Sequence, residues 1–308
     1  MMLSDLEKEL IKMVADMHDV PKGGAFSIRR NGDGSMRSSS PNITIEGNKA
    51  KNGINVKIKP GTKNETVYIP VLITEEGLSE VVYNHFTIGE DADVTIVAGC
   101  GIHNGGDKKS QHDGIHEFVV EKNARMKYVE KHFAQGSGQG KKVFNPKTIL
   151  TVEENGLAEL ELVQIRGVDA TKRDTEVLLK DGAKIISVER MLTDDKQEAE
   201  SIIDVEMRGK NSTCQIISRS VARGQSRQTF DLNMSGYEDC RGHIQCDSII
   251  MDEAEVVAIP RVSAFHVDAQ LIHEAAIGKI ASDQMIKLMS LGLNEEEAEA
   301  KILAGFLK

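Results

Sequence analysis

The sequence predicts a mainly β protein whose core is a β-solenoid. Apolar and polar residues alternate along most of the chain between about Phe26 and Gln270, which fits strands and not helices. The composition agrees, because there is no Trp, aromatic residues make up only 4%, and Val and Ile are frequent. Hydrophobic residues reach 40% of the 308 residues, which is enough for a sizeable core.

A loose repeat inside this region supports the solenoid. Each unit has an apolar residue, a turn of acidic residues or Asn, a small residue and an alternating strand; the units are IGEDADVTIV (88–97), VEKNARMKYV (120–129), VEENGLAELEL (152–162), LKDGAKIISV (179–188) and IMDEAEVVAI (250–259). Spacings of about 30 residues are typical of stacked supersecondary units. Asp, Asn and Gly tolerate tight turns, and a small neighbour lets coils stack closely. A β-sandwich is the structural alternative.

Short helices are expected at both ends. Ser4 and Glu7 fit a capping box for a first helix, which Pro21 ends, and its apolar face is expected to contain Leu6, Leu10, Met13 and Met17. After Ile277 the pattern changes to a helical period.

Two helices are expected after that change. Ser282 caps one that runs through Leu291 to a stop at Gly292, and Asn294 with Glu297 caps the second. The apolar stripe of the second helix is Ala298, Ile302, Leu303 and Phe306. Such a pair either shields the open last coil or forms a docking surface.

Charge and composition exclude several classes of function. A formal net charge of −10 with no cluster of Lys and Arg argues against nucleic-acid binding, and Arg219, Arg223 and Arg227 fit a solvated strand or turn. No signal peptide and no run of about 18 apolar residues is evident, so a cytoplasmic, non-membrane protein is expected. Four cysteines in a chain of this length are expected to remain thiols.

The first group of candidate functional residues lies near the C-terminus. Cys246 falls in the segment YEDCRGHIQCDSIIM (237–251), and His273 and Glu274 fall about one coil later. Strand alternation puts Ile244, Cys246 and Ser248 on one face, but it does not say which face is interior. A buried thiol beside two solvated polar residues is the simpler alternative.

The second group is a metal-site hypothesis. Cys100, His103, His112 and His116 fall within the Gly-rich segment CGIHNGGDKKSQHDGIH (100–116), which is interpreted as a loop. Thiolate and imidazole ligands at such short spacing suit a tetrahedral metal ion, although no standard zinc module has this order. A solvated polar loop is the alternative.

The C-terminal third resembles a known family. The segments RGHIQCDSIIM, EVVAIPRVSAF, HEAAIGKI and DQMIKLMSLGLNEEEAEAKILAGFL resemble the SufB/SufD family of iron–sulfur cluster assembly proteins in order and spacing. The coil repeats and the SRSVARGQSRQTF segment (218–230) extend the resemblance, less specifically, over nearly the whole chain.

The resemblance implies a fold and an assembly. The fold is a right-handed parallel β-helix core at 26–276, with helical segments at 1–25 and 277–308. The assembly is a pair of such subunits, with an ATP-binding cassette ATPase of the SufC type held by the C-terminal helices. The region before the core is shorter than in longer family members, so the resemblance leaves the sulfur donor unidentified.

The resemblance also implies the site residues. SufB has a Cys in its QCDS motif and a Glu in its HEA motif, which correspond to Cys246 and Glu274, and SufD has a His that corresponds to His273. Since this chain has all three, a SufB-like homodimer is expected, with Cys246 of one subunit facing His273 and Glu274 of the other.

The expected function is a scaffold for a transient iron–sulfur cluster of unspecified type, which is passed on to apo-protein recipients. A thiolate accepts sulfur and iron, while His and carboxylate are exchangeable ligands. No GxxxxGK[ST] loop is present, so ATP hydrolysis is assigned to the partner and the chain is not expected to be an enzyme. The alternatives are a metal-binding or metal-sensing protein that uses segment 100–116 and, more remotely, a polysaccharide-acting β-helix enzyme, which the scarcity of aromatic residues disfavours.

Overall fold

The computed structural model describes residues 3–308, apart from the side chain of Ile165. It confirms a mainly β protein with a parallel β-solenoid of about eight turns and short terminal helices. Successive strands alternate between two ten-stranded sheets, and each strand of the coils pairs in parallel with strands of the neighbouring coils, so the sandwich alternative is wrong. The right-handed sense that the resemblance implies agrees with the general rule for parallel crossovers.

The first sheet has the order β2-β1-β5-β7-β9-β12-β14-β16-β18-β20. Its strands are β1 (Ala25–Arg30), β2 (Asp33–Ser38), β5 (Lys63–Ile73), β7 (Asp93–His103), β9 (Arg125–Gln135), β12 (Leu157–Arg166), β14 (Lys184–Thr193), β16 (Ser212–Ala222), β18 (Cys240–Ile250) and β20 (Gln270–Gly278).

The second sheet runs β3-β4-β6-β8-β10-β13-β15-β17-β19, with β11 also between β8 and β13. Its strands are β3 (Ile43–Gly47), β4 (Gly53–Ile58), β6 (Ser79–Ile88), β8 (Ser110–Val120), β10 (Lys142–Phe144), β11 (Lys147–Val152), β13 (Ala170–Leu179), β15 (Glu198–Met207), β17 (Arg227–Gly236) and β19 (Glu255–Ala264).

The N-terminal helix α1 (Asp5–Ala15) begins at the expected capping box of Ser4 and Glu7. Its buried face includes Leu10 and Val14, which pack over glycines of β7. Met13 is 44% exposed, so its predicted place on the apolar face is wrong. The helix also ends before Pro21, because Asp16 adopts a left-handed conformation at its C-terminus.

The corner that leads from the second sheet into the first sheet explains the predicted repeat. Asp91, Asn123, Asn155 and Gly182 occupy equivalent turn positions there, all with φ between 55° and 65°. Each donates its backbone N–H to a carbonyl in the turn of the next coil, at 2.7–3.1 Å. Small residues follow these positions, and the alanines among them are fully buried: Ala92, Ala124, Gly156 and Ala183. At this corner each coil therefore has a residue that accepts a left-handed backbone, followed by a small residue that leaves room for the next coil.

The fifth predicted unit, 250–259, belongs to the opposite corner. It joins β18 of the first sheet to β19 of the second sheet, and Asp252 has a φ of 53°. Asp195 and Gly224 occupy the equivalent turns of the preceding coils. The repeat seen in the sequence therefore consists of two sets of units, one at each corner. Both corners need residues that accept a left-handed backbone.

The C-terminal helices are α2 (Ser282–Ser290) and α3 (Glu295–Phe306). Asn294 and Glu297 form the predicted capping box, but Ala281 is the N-cap of α2 and makes no side-chain cap, so the predicted role of Ser282 is wrong. No helix among residues 3–308 combines the length and apolarity needed to cross a membrane.

The C-terminal end of α3 lies beside the outer face of the first sheet. Arg190 on β14 donates to the carbonyl of Lys308 at 2.6 and 3.0 Å, and Arg219 on β16 donates to the carbonyl of Phe306 at 3.5 Å. The last coil stays uncovered, because Val267 is 92% exposed and β19 and β20 end their sheets. The pair therefore does not shield the open end of the solenoid.

Close stacking at the corner gives a stability prediction. In Ala124→Leu the larger side chain has no space between Ala92 and Gly156 of the adjacent coils, so we expect a destabilisation of about 1–3 kcal/mol. Urea unfolding followed by circular dichroism measures this loss. Arg125→Leu, which places the same side chain at the exposed next position, is the control. An unchanged midpoint for Ala124→Leu would show that the corner is not closely packed.

Candidate functional site

Cys246 lies on the inward face of β18. It is fully buried, as is Ile244, and Ser248 is 3% exposed, so the set that alternation placed on one face is the interior set. The parallel register aligns Cys246 with Ser218 on β16 and with Ala275 on β20. Only β20 therefore separates the thiol from the open edge of the first sheet.

His273 faces the same interior from β20. Its register partner is Ile244, so it lies diagonally from Cys246, roughly 8 Å away between Cα atoms from strand spacing and rise. Both ring nitrogens are inaccessible to solvent and have no hydrogen-bond partner among the described residues. Burial, followed by the proximity of His243, lowers the pKa of His273, so the neutral ring has a lone pair free for a ligand.

Glu274 points to the opposite face of the first sheet. It is aligned with Gln245, an outward residue, and its Oε1 lies 2.7 Å from Nε2 of His243. His243 precedes Cys246 by three residues and so also faces outward. Cys246 and His273 thus share one face, while Glu274 and His243 share the other. The three predicted residues do not form one ligand set within a single chain.

The surroundings of Cys246 keep it a neutral thiol. Burial is the main cause, and together with the charges of Glu189 and Asp247 it raises the pKa of Cys246 to about 12. A thiolate is the form that binds iron and accepts sulfur. Reaction at this position therefore requires the last coil to become hydrated or a cation to approach.

A row of inward residues leads from Cys246 into the solenoid. In-register pairing aligns Glu189 on β14 with Ser218, and Ser218 with Cys246. The hydroxyl of Ser218 donates to Oε2 of Glu189 at 3.2 Å. Ser218 and Glu189 are not among the residues predicted from the sequence, although they precede Cys246 by one coil of 28 residues and by a further coil of 29 residues.

Glu189 belongs to a buried cluster of three charges. Arg173 pairs with Glu130 and lies 3.4 Å from Glu189 through Nε, and all three side chains are at most 3% exposed. Burial opposes ionisation of both acids, but Arg173 outweighs it for Glu130 and holds that pKa far below its usual range. For Glu189 burial prevails and the pKa is raised. Arg173 therefore offsets the effect of burial on the pKa of Glu130 but not on the pKa of Glu189.

Segment 100–116 is not the loop that the sequence suggested. Cys100 and His103 lie on β7, and His112 and His116 lie on β8 in the other sheet. His103, three residues after Cys100, points to the opposite face of its strand. Among residues 3–308, no group of three or more His, Cys, Asp and Glu is placed to hold a metal ion. The four residues therefore form no preformed site.

The two histidines of β8 have structural partners instead. Nδ1 of His112 lies 3.0 Å from Oε1 of Glu80, and Nδ1 of His116 lies 3.5 Å from Nδ2 of Asn84. Burial would raise the pKa of Glu80, yet hydrogen bonds from His112 and Arg29 lower it to about 2. Burial lowers the pKa of His116 to about 4, so it is neutral.

Comparisons with known proteins identify the family of the chain. A model of the SufBD core domain, of the SUF system for iron–sulfur cluster assembly, matches residues 71–306.

Three relatives are each described as an iron–sulfur cluster assembly SufBD family protein. The one from Archaeoglobus fulgidus is 29% identical over 266 residues, which are 83% of this chain and 68% of that protein. The one from Methanocaldococcus jannaschii is 28% identical over 271 residues, which are 86% of this chain and 84% of that protein. The one from Staphylococcus epidermidis is 27% identical over 247 residues, which are 77% of this chain and 50% of that protein.

The matched region includes β18, β20 and both C-terminal helices, so it contains Cys246, His273 and Glu274. It also covers well over half of the chain. The resemblance of the C-terminal third is thereby confirmed, and the chain belongs to the SufBD family of iron–sulfur cluster assembly proteins.

Proposed function

We propose that this protein is a non-enzymatic scaffold on which a nascent iron–sulfur cluster is built between two copies of the chain. The observation that carries the proposal is the position of Cys246, a buried thiol one strand from an uncovered solenoid end. The cluster is the cargo of this site, so its ligands must hold it and then release it. All four cysteines are free thiols, which suits a reducing compartment such as the cytoplasm.

The open end of the solenoid supports pairing of two copies. β19 and β20 have unpaired edges, and the last coil exposes apolar side chains that include Phe265, Val267 and Ile272 at 60–92%. Such an edge is an aggregation hazard unless another chain covers it. A second copy offers the same edge, so a two-fold pair covers both surfaces at once.

Pairing at this end also bears on the separated ligands. Within one chain Glu274 and Cys246 lie on opposite faces of the sheet. The proposed ligand set is Cys246 of one copy with His273 and Glu274 of the other copy. Since His273 and Glu274 point to opposite faces of β20, this set forms only after the last coil rearranges. One soft thiolate with imidazole and carboxylate ligands holds a cluster less permanently than four thiolates.

The neutral state of Cys246 indicates a loading step. A buried thiol with a pKa of about 12 reacts only after its surroundings change. We propose that a SufC-like ATPase, driven by ATP, moves the paired solenoids and opens the last coil. The sulfur donor and the recipient apo-proteins then have access to the site.

The C-terminal helices support docking of this ATPase. Helix α2 has no buried residue, while Ile286 is 64% exposed and Leu291 is 76% exposed. Two large apolar side chains on a short surface helix are typical of a helix that binds a partner. Arg190 and Arg219 connect the C-terminal end of α3 to the strands that carry Glu189 and Ser218, so the helical segment contacts the strands that form the row behind Cys246.

Removing the thiol tests the cluster site. We expect Cys246→Ala to abolish cluster formation because it deletes the only thiol in the proposed ligand set. Anaerobic reconstitution with ferrous iron and sulfide, followed by iron and acid-labile sulfide analysis, measures this loss. Cys214→Ala is the matched control, since Cys214 is also buried and also has a pKa raised to about 12. Normal cluster formation by Cys246→Ala would refute the site.

Charging the last coil tests the homodimer. We expect the wild-type chain to have twice the monomer mass of 33.8 kDa, and the double variant Val267→Glu, Ile272→Glu to be monomeric. Four carboxylates would otherwise be buried across the two-fold interface. Sedimentation equilibrium measures the mass, and Val81→Glu, at a 41% exposed position on β6, is the control. A double variant that remains dimeric would place the interface elsewhere.

Charging α2 tests the ATPase dock. The double variant Ile286→Glu, Leu291→Glu is expected to lose co-purification with a co-expressed SufC-type ATPase, because carboxylates cannot replace the apolar contacts. Met13→Glu, at a 44% exposed position on α1, is the control. If the double variant retains the ATPase at wild-type stoichiometry, the C-terminal helices are not the docking surface.

A further inference from the structure

The far end of the solenoid contains a cavity of about 300 Å³ that the proposed scaffold function does not use. The turns of the β1–β2 and β3–β4 hairpins form its walls, and inward residues of the first coil form its floor. The floor is largely apolar, with Ile54, Ile69, Val71 and Val82. This volume lies at the lower end of the range for small-molecule sites.

Three cations line the cavity in a chain whose net charge is −10: Arg29, Arg37 and Lys51. Arg29 is neutralised, since its side chain is 12% exposed and its Nη2 lies 2.7 Å from Oε2 of Glu80. Among residues 3–308, Arg37 and Lys51 form no ion pair, and the ammonium of Lys51 lies 4.4 Å from the ring centre of Tyr83. Two positive charges at the mouth therefore lack a counterion within the protein.

Glycines leave room for two of the guanidinium groups. A Cβ on Gly47 would lie 2.7 Å from Nη1 of Arg37, and a Cβ on Gly34 would lie 3.0 Å from Nη1 of Arg29. Arg37 thus reaches from its own hairpin across the cavity wall to the turn of the other hairpin. Both guanidinium groups therefore lie close to the space that a Cβ would occupy, so the two glycines leave this part of the cavity wall open to them.

The single acid in the lining does not neutralise the mouth. The carboxylate of Asp33 accepts hydrogen bonds from the backbone N–H of Ser35 at 2.9 Å and from its hydroxyl at 2.8 Å. These bonds lower the pKa of Asp33, so it stays ionised and is satisfied locally. One acid against Arg37 and Lys51 leaves the mouth positive.

We propose that this cavity binds a small organic anion, with an oxyanion head at Arg37 and Lys51 and a short apolar body on the floor. A guanidinium pairs with a phosphoryl or carboxylate group through two parallel hydrogen bonds, and an ammonium adds charge without fixed geometry. The site lies at the opposite end of the solenoid from Cys246, so it is independent of the proposed scaffold function.

Calorimetric titration with n-butyl phosphate and with pentanoate tests the site, because the two probes share an unbranched butyl body but differ in the head group and its charge. We expect saturable one-to-one binding of at least one probe, and the stronger binder identifies the head. The double variant Arg37→Gln, Lys51→Gln should weaken that binding about tenfold or more, as expected for the loss of two charged contacts.

The control removes the same charge elsewhere. Lys57→Gln, Arg125→Gln also lacks two positive charges, but both positions are exposed and outside the cavity. We expect this variant to bind as the wild type does. Absence of saturable binding by both probes, or equal weakening in the two double variants, would overturn the proposal.

Discussion

The in-register parallel pairing of successive coils is the constraint on which the rest of the structure depends. It places each inward residue beside the inward residues one coil before and one coil after it, so that in the last coils residues 28 or 29 positions apart become neighbours. The row from Glu189 through Ser218 to Cys246 is a direct result. The same register leaves the last coil with unpaired edges, because no further coil follows β19 and β20.

The interior of this solenoid is not uniformly apolar. Arg173 and its two carboxylate partners lie in it fully enclosed, and their desolvation is offset only because each charge has a partner at hydrogen-bond or ion-pair distance. Replacing Arg173 alone would leave two buried acids unpaired. Buried polar side chains therefore extend through the interior from the middle coils to the neighbourhood of Cys246.

The sequence predicted the solenoid, turn residues at both corners and the capping boxes, because these depend on local conformational preferences. Ser282 and Met13 were misplaced, and segment 100–116 was interpreted as a loop although it contains the end of β7 and the start of β8. The glycines and histidines of that segment pack within these strands. Periodicity alone could not assign Cys246 to the interior. That assignment depends on the register between coils. Ligands from a second copy depend on an interface between chains, which the sequence pattern of one chain does not reveal.

A mixed dimer tests the central claim, which is that each site combines Cys246 of one copy with His273 and Glu274 of the other. One tagged chain carries Cys246→Ala, and a differently tagged chain carries His273→Ala and Glu274→Gln. If the sites are shared between copies, the isolated mixed dimer retains one intact site and assembles about half the wild-type iron and sulfide under reconstitution, while each parental homodimer assembles none. A mixed dimer that assembles no cluster would show that the site closes within one chain and would contradict the account.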